Sequence, residues 1–319
     1  MTRSFSLRQP LAHGLLIFAA FAGCILPAAA AEFTLGNLLV TFEDNLYEFT
    51  PAGSQVQLLA IDGVTEEARE LVLERRGLLG IYNGTLTPKL SLLEPASVMW
   101  ADTTLAGWST VNNVSYGGLA AYRHYMFATD MTTPDPGGPR GLVRFDISTG
   151  GAQRFADAEY IDVTLGFDRR LYALVDDEET VDIFDPETMS SLGTITLAID
   201  VRGIAVNADG DIFGASWDGN LYRYSSAGAL TDFHDTGIDN LTDIDLDRNG
   251  DLVAGSRFGE VILSDEALDS STNFDLTAAP GGGQQTFVAF VTDPRIFGDG
   301  FEGGDPTMWS RVVSDGSEI

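Results

Sequence analysis

The sequence predicts an all-β fold, a six-bladed β-propeller of four-stranded antiparallel blades, closed by N- and C-terminal strands that share one blade. Three observations predict it. A unit of four short alternating runs recurs between 160 and 275, with Val163, Ile204 and Ile244 marking one position at spacings of 41 and 40 residues. Turn dipeptides such as Asp209-Gly210, Asp218-Gly219 and Asn249-Gly250 separate the runs, and alternation broken by such turns reads as strands joined by tight hairpins. The first and last copies are fragments that complete one another.

The three clear copies begin at YIDVTLGFDRRLYALV, VRGIAVNADGDIFGAS and LTDIDLDRNGDLVAGS. Phe184, Tyr224 and Leu263 hold a second shared position, and Ile212, Leu221 and Tyr224 read as packing residues between blades. Upstream, GGLAAYRHYMFATDM and GLVRFDISTGGAQRFAD make a looser copy interrupted by TTPDPGGPR. ARELVLERRGLLGIYNGTLTPKLSLL is a more divergent one. GNLLVTFEDNLYEFTPAGSQVQLLA fits only the second, third and fourth runs, with Leu46-Tyr47-Glu48-Phe49 aligned to Leu221-Tyr222-Arg223-Tyr224. The missing inner run is supplied by TFVAFVTDP, Thr286 to Pro294. Sharing one blade in this way removes the open ends of a linear stack. Residues 32–295 divide into six units of 44, the length of a four-stranded blade. Seven blades remain an alternative, whereas a solenoid would repeat at a shorter period and a sandwich would not repeat.

The ends predict export. Arg3 and Arg8 precede the apolar stretch LLIFAAFAGCILP and the small residues Ala28 to Ala31, the pattern of a secretory signal peptide spanning 1–31. Phe21-Ala22-Gly23-Cys24 also resembles a lipoprotein lipobox, a second reading that would lipidate Cys24. Cys24 is the only cysteine, so the mature chain has no disulfide and relies on a large core. Beyond the leader no run approaches a membrane span. The propeller is expected over 32–295 and an acidic, Gly-rich, mobile tail over 296–319. A secreted or periplasmic bacterial protein, monomeric, is the expectation.

Charge excludes one class of partner. Eighteen Lys and Arg stand against 47 Asp and Glu, a net charge of −29, and Lys89 is the only lysine. Such a surface repels phosphate backbones, so nucleic acid is not an expected partner.

On these units the chain resembles the broad class of six-bladed propellers that includes NHL-repeat and gluconolactonase-like proteins. The resemblance lies in architecture and blade pattern; no Trp-Asp signature like that of WD-repeat proteins recurs from blade to blade. The tail, with Gly300-Phe301-Glu302-Gly303-Gly304, resembles the Gly-Phe-Glu-Ser-Gly tails of some secreted bacterial proteins, Gly303 standing at the serine position. The gluconolactonase-like resemblance implies a divalent cation at the axial mouth held by glutamate, asparagine and aspartate side chains, a role that Asp243 or Asp162 would fill in part.

Residues suited to catalysis are few. The mature chain has two histidines, His124 and His234, at different places in different units, poor material for a His-rich metal centre. No G-x-S-x-G, H-E-x-x-H or G-x-x-x-x-G-K-[ST] motif occurs. Asp245, Asp247, Asn249 and Asp251 match the front of a calcium loop, but Ser256 stands where the bidentate glutamate belongs. Asn207, Asp209 and Asp211 repeat the pattern in the neighbouring unit, which favours turn chemistry over a metal site. Calcium is therefore the one candidate cofactor. Candidates for an axial ligand site, at the starts of the inner runs, are Asp162, Asp200, Arg202, Asp239 and Asp243, with Tyr160, Asn240, Gln284, Gln285, Trp108 and Tyr116 around them. The expected function is a non-catalytic binding or interaction platform for a protein or small molecule. The alternative is a metal-dependent hydrolase, lactonase or lyase with acids at the axial mouth, and a third reading is an envelope protein whose tail carries its role.

Overall fold

A computed structural model describes residues 33–42, 45–60, 68–73, 79–83, 89–94, 99–104, 117–130, 140–276 and 286–292. The expected leader (1–31) and tail (296–319) lie outside these residues, as do Trp108, Tyr116, Gln284 and Gln285. Every described element is a strand or a turn. Among the described residues no helix is long and apolar enough to cross a membrane.

The alternating runs form strands where the pattern puts them. In chain order these are β1 (Leu38–Phe42), β2 (Asn45–Phe49), β3 (Gln55–Ala60), β4 (Ala68–Leu73), β5 (Leu79–Asn83), β6 (Lys89–Glu94) and β7 (Met99–Thr103). Next come β8 (Leu119–Tyr122), β9 (Tyr125–Asp130), β10 (Gly141–Asp146), β11 (Gly151–Phe155), β12 (Tyr160–Leu165), β13 (Leu171–Val175), β14 (Thr180–Phe184) and β15 (Ser191–Thr196). The three well-marked final units supply β16 (Gly203–Val206), β17 (Ile212–Ala215), β18 (Asn220–Tyr224), β19 (Leu230–Asp235), β20 (Leu241–Leu246), β21 (Asp251–Ser256), β22 (Glu260–Asp265) and β23 (Thr272–Asp275), followed by the lone β24 (Phe287–Phe290).

These strands make the four-stranded antiparallel sheets of a β-propeller. Five sheets use consecutive strands: β4–β7, β8–β11, β12–β15, β16–β19 and β20–β23. The sixth has the order β24-β1-β2-β3, with Leu38 opposite Phe290 and Thr41 opposite Phe287. TFVAFVTDP thus provides the strand that the N-terminal copy lacks. The innermost strands lie side by side: β12 beside β8 and β16, β20 beside β16 and β24, β4 beside β24 and β8.

The core sits between sheets. Ile161, Val181, Val201, Ile204, Ile212 and Tyr224 interlock between β12–β15 and β16–β19, and Phe213, Leu221, Ile244, Leu252 and Ile262 do so between β16–β19 and β20–β23. Val163, Ile204 and Ile244, aligned by the repeat, are all buried on innermost strands, and Ile212, Leu221 and Tyr224 are buried as packing residues. Outermost strands such as β15 and β19 are mostly exposed, as expected where each sheet ends in solvent.

Candidate functional site

The innermost strands surround a cavity of about 400 Å³. An acid precedes the aligned apolar residue on every second innermost strand: Glu70 on β4, Asp162 on β12 and Asp243 on β20. These carboxyls and that of Asp245 line the cavity. Neighbouring innermost strands belong to different sheets, so their edge N–H groups need other acceptors. The carboxyls provide them. Asp162 accepts the N–H of Val163 at 2.6 Å and that of Ile204, on β16, at 2.7 Å. Asp243 accepts Ile244 N–H at 2.8 Å and Val288 N–H, on β24, at 2.6 Å. Asp245 does the same with Leu246 and Phe290, both at 2.8 Å. Glu70 accepts the N–H of Leu71 at 2.8 Å.

Close approach of the strands is part of this device. A Cβ on Gly203 would stand 2.9 Å from Asp243 Cα, and one on Gly118 would stand 2.1 Å from Val163 N. Glycine therefore sits at the start of β16 and just before β8, the innermost strands preceding these two acidic strands, letting the backbones meet.

Burial dominates the electrostatics. It raises the Asp162 carboxyl to about 7 and Asp245 to about 6. Asp243 is held well above the usual carboxylate range by burial and then by the charge of Asp162. Glu70 is raised well above it by burial, then by Asp243 and Asp162. Such groups favour the neutral acid because the charged form loses its hydration. At the end of the cavity where the inner strands finish, Arg169 and Arg248 contribute to the wall. The Arg248 guanidinium lies 5.4 Å from the Phe167 ring centroid.

The five ligand candidates divide into two groups. Asp162 and Asp243 lie in the channel, bonded to backbone. Asp200, Arg202 and Asp239 lie on the face where the inner strands begin, called here the proximal face. Arg202 pairs with Glu178 at 2.6 Å, and its guanidinium is 4.9 Å from the Trp217 ring centroid. Asp200 is exposed and hydrogen-bonds the Glu179 carboxyl, whose affinity for its proton that contact raises. Asp239 is exposed. Asn240, at φ +62°, shapes the loop, its N–H donating to Trp217 O and its carbonyl accepting from Arg257 N. Tyr160 is a core residue: its ring is buried and its hydroxyl donates to Asp182 at 2.8 Å.

The four metal candidates are also split. Asp245 faces the channel with both oxygens on backbone amides. Asp247 Oδ1 accepts the N–H groups of Asn249 and Asp251 at 2.7 and 2.9 Å, and Oδ2 accepts from Asn249 Nδ2. In the neighbouring sheet Asn207 Oδ1 accepts from Asp209 and Asp211 N–H at 3.0 and 2.9 Å. The shared geometry is that of an Asx turn. Asp251 is raised by burial and then by the like charges of Asp247 and Asp265. Among the described residues no three His, Cys, Asp or Glu side chains group so as to hold a metal ion.

The histidines stay apart. The His124 ring lies 4.0 Å from that of Tyr125, and His234 Nε2 shares a 2.9 Å hydrogen bond with Ser271 Oγ.

Sequence reasoning missed two features. Glu70 was hidden in the most divergent copy, although aligning Leu71 with Val163 places it opposite Asp162. The other is a proximal cluster: Trp217 and Arg257 occupy the same turn position in adjacent units, after Ser216 and Ser256. The Arg257 guanidinium lies 5.5 Å from the Trp217 ring centroid, and Phe258 beside it is 55% exposed.

No protein-family model matches the chain, and no curated protein matches it. Solved structures do. A streptogramin B lyase aligns with a TM-score of 0.53 at 12% identity, over 80% of this chain and 86% of that one. Virginiamycin B lyase from Staphylococcus aureus aligns with a TM-score of 0.52 at 11% identity, over 78% and 88%. A chain of the mitotic checkpoint complex aligns with a TM-score of 0.51 at 15% identity, over 86% and 88%. At these identities the likeness shows the β-propeller fold alone.

Proposed function

We propose that this chain is an exported, monomeric, non-catalytic binding module, in which the six sheets form one closed ring of six blades and the proximal face meets a protein or small-molecule ligand. One observation carries the reading. In the channel, where a metal-dependent enzyme would converge its oxygens, Asp162, Asp243 and Asp245 each direct both carboxylate oxygens at backbone N–H groups of two strands. The residue types that dominate recognition surfaces, Trp, Arg and exposed aromatics, gather on the proximal face as Arg202, Trp217, Arg257 and Phe258. The test is metal analysis of the purified protein with thermal melting in calcium and in chelator. The expected result is no stoichiometric metal and one melting temperature in both. A bound equivalent of metal, or a clear rise in melting temperature with calcium, would overturn the reading.

A second reading, a lyase, lactonase or hydrolase, is favoured by a different observation. The Asp162 carboxyl, at about 7, titrates where a general acid or base works, and two structural neighbours are lyases. Turnover of a lactone or ester abolished by Asp162→Asn, in a variant that remains folded, would favour it over the binding module.

A further inference from the structure

We infer that Trp217, Arg257 and Phe258 form a binding site for a small monocarboxylate with an apolar body. The inference rests on the reading of the proximal face as the recognition surface, and it names the ligand's chemistry. It starts from an imbalance. The chain has 47 acids and 18 basic residues, yet the Arg257 guanidinium meets no carboxylate among the described residues. Several acids of the cluster bond other groups. Asp218 accepts from the Tyr222 hydroxyl at 2.6 Å and from Asn220 N–H at 3.1 Å. Glu260 is bonded to Ser256 Oγ, and Glu178 pairs with Arg202.

Among the described residues two donors in this cluster lack acceptors: Arg257 Nε and Trp217 Nε1 are both buried without a hydrogen-bond partner. Buried N–H groups are nearly always paired in a folded protein, so these two mark a place for an acceptor that the described residues do not supply. Two guanidiniums also lie against one indole ring, at 4.9 and 5.5 Å. A ligand carboxylate offsets the charge of Arg257 and accepts charge-assisted hydrogen bonds from its planar donor fork. Phe258, 55% exposed beside Arg257, offers an apolar surface to the rest of the ligand. The net charge of −29 selects further: it repels polyanions over long range and penalises a single carboxylate least.

The test is titration of the ¹⁵N-labelled full chain with benzoate, following the indole N–H resonance that disappears in Trp217→Phe. Benzamide, of the same shape without the charge, is the control. A saturable shift with benzoate is expected, with benzamide weaker by roughly tenfold or more, the ratio given by one hydrogen bond to a charged partner. Arg257→Gln should erase that preference. Should this variant fail to fold, Phe258→Ala, at an exposed position, should weaken benzoate while leaving acetate unchanged. No saturable shift with benzoate, or equal binding of benzamide, overturns the inference. Bound metal or turnover would instead undo the binding-module reading and leave this site standing, so the two failures are distinguishable.

Discussion

Asp162 Oδ2 lies 2.7 Å from the backbone nitrogen of Ile204, which belongs to the neighbouring sheet. The contact joins two sheets that share no ladder, and Asp243 with Val288 repeats it two sheets further on. Channel carboxyls therefore act as clasps between blades. They hold the inner strands together where side-chain packing thins toward the axis.

Removing a clasp should destabilise the fold. Asp243→Ala leaves the N–H groups of Ile244 and Val288 without their acceptor, both in buried surroundings. Each unsatisfied group costs about 1–3 kcal/mol, partly offset by relief from burying a carboxyl. A net loss of about 2 kcal/mol is expected, or roughly 4–8 °C in melting temperature. Urea unfolding measures it, and a loss too small to resolve would show that the clasps do not hold the sheets.

The same carboxyls set a pH dependence whose sign follows from their direction. Asp162 titrates at about 7 and Asp245 at about 6 in the folded chain, against about 3.9 for an unfolded Asp. Between these values the folded state binds more protons than the unfolded one, so stability falls as pH rises through the window from about 4 to 7. Asp146 opposes this, lowered to about 2 by its bonds to Ser148, but its window lies below 4. The protein should melt at a higher temperature at pH 5 than at pH 8. Asp162→Asn should flatten that slope; a slope unchanged in the variant would assign it to general surface repulsion instead.

Glycine on the intervening strands gives a steric counterpart. Gly203→Ala would push a methyl to 2.9 Å from Asp243 Cα, a backbone atom that cannot turn aside. Gly150→Ala meets nothing within 4 Å and carries only the strain of φ +75°. The first should cost about 2 kcal/mol or more and the second about 1 kcal/mol. Equal losses in parallel melts would show that strand approach at Gly203 is not tight.

The strands were legible because alternation and turn residues are local properties, and β24 was legible because the N-terminal copy visibly lacked a run. The site was legible only in part. Asp162 and Asp243 stood out as acids at the starts of inner runs, but alternation alone does not say whether such an acid meets a ligand or a neighbouring strand's amide. That depends on which sheets adjoin, a relationship between residues 42 and 45 apart. Trp217 and Arg257 share a turn position in the repeat, but their contact crosses from one sheet to the next. No local pattern marks it.

The loop from Asp245 to Asp251 supplies the sharpest contrast between a turn and a metal site. Asp247 Oδ1 bonds two N–H groups in an exposed hairpin, whereas Asp245 bonds amides on two strands inside the channel. If these are independent structural roles, the two substitutions should differ. Asp247→Ala should cost about 1 kcal/mol, the loss of an Asx cap, and Asp247→Asn should restore most of it because an amide oxygen still accepts. Asp245→Ala should cost about 2 kcal/mol or more, with little rescue by Asn, whose NH₂ would oppose one of the two amides. Neither loss should depend on calcium. A shared calcium ion would instead make the wild-type melting temperature rise with calcium and would remove that rise in both variants alike. Melting curves for the four proteins, with calcium and with chelator, separate the two accounts.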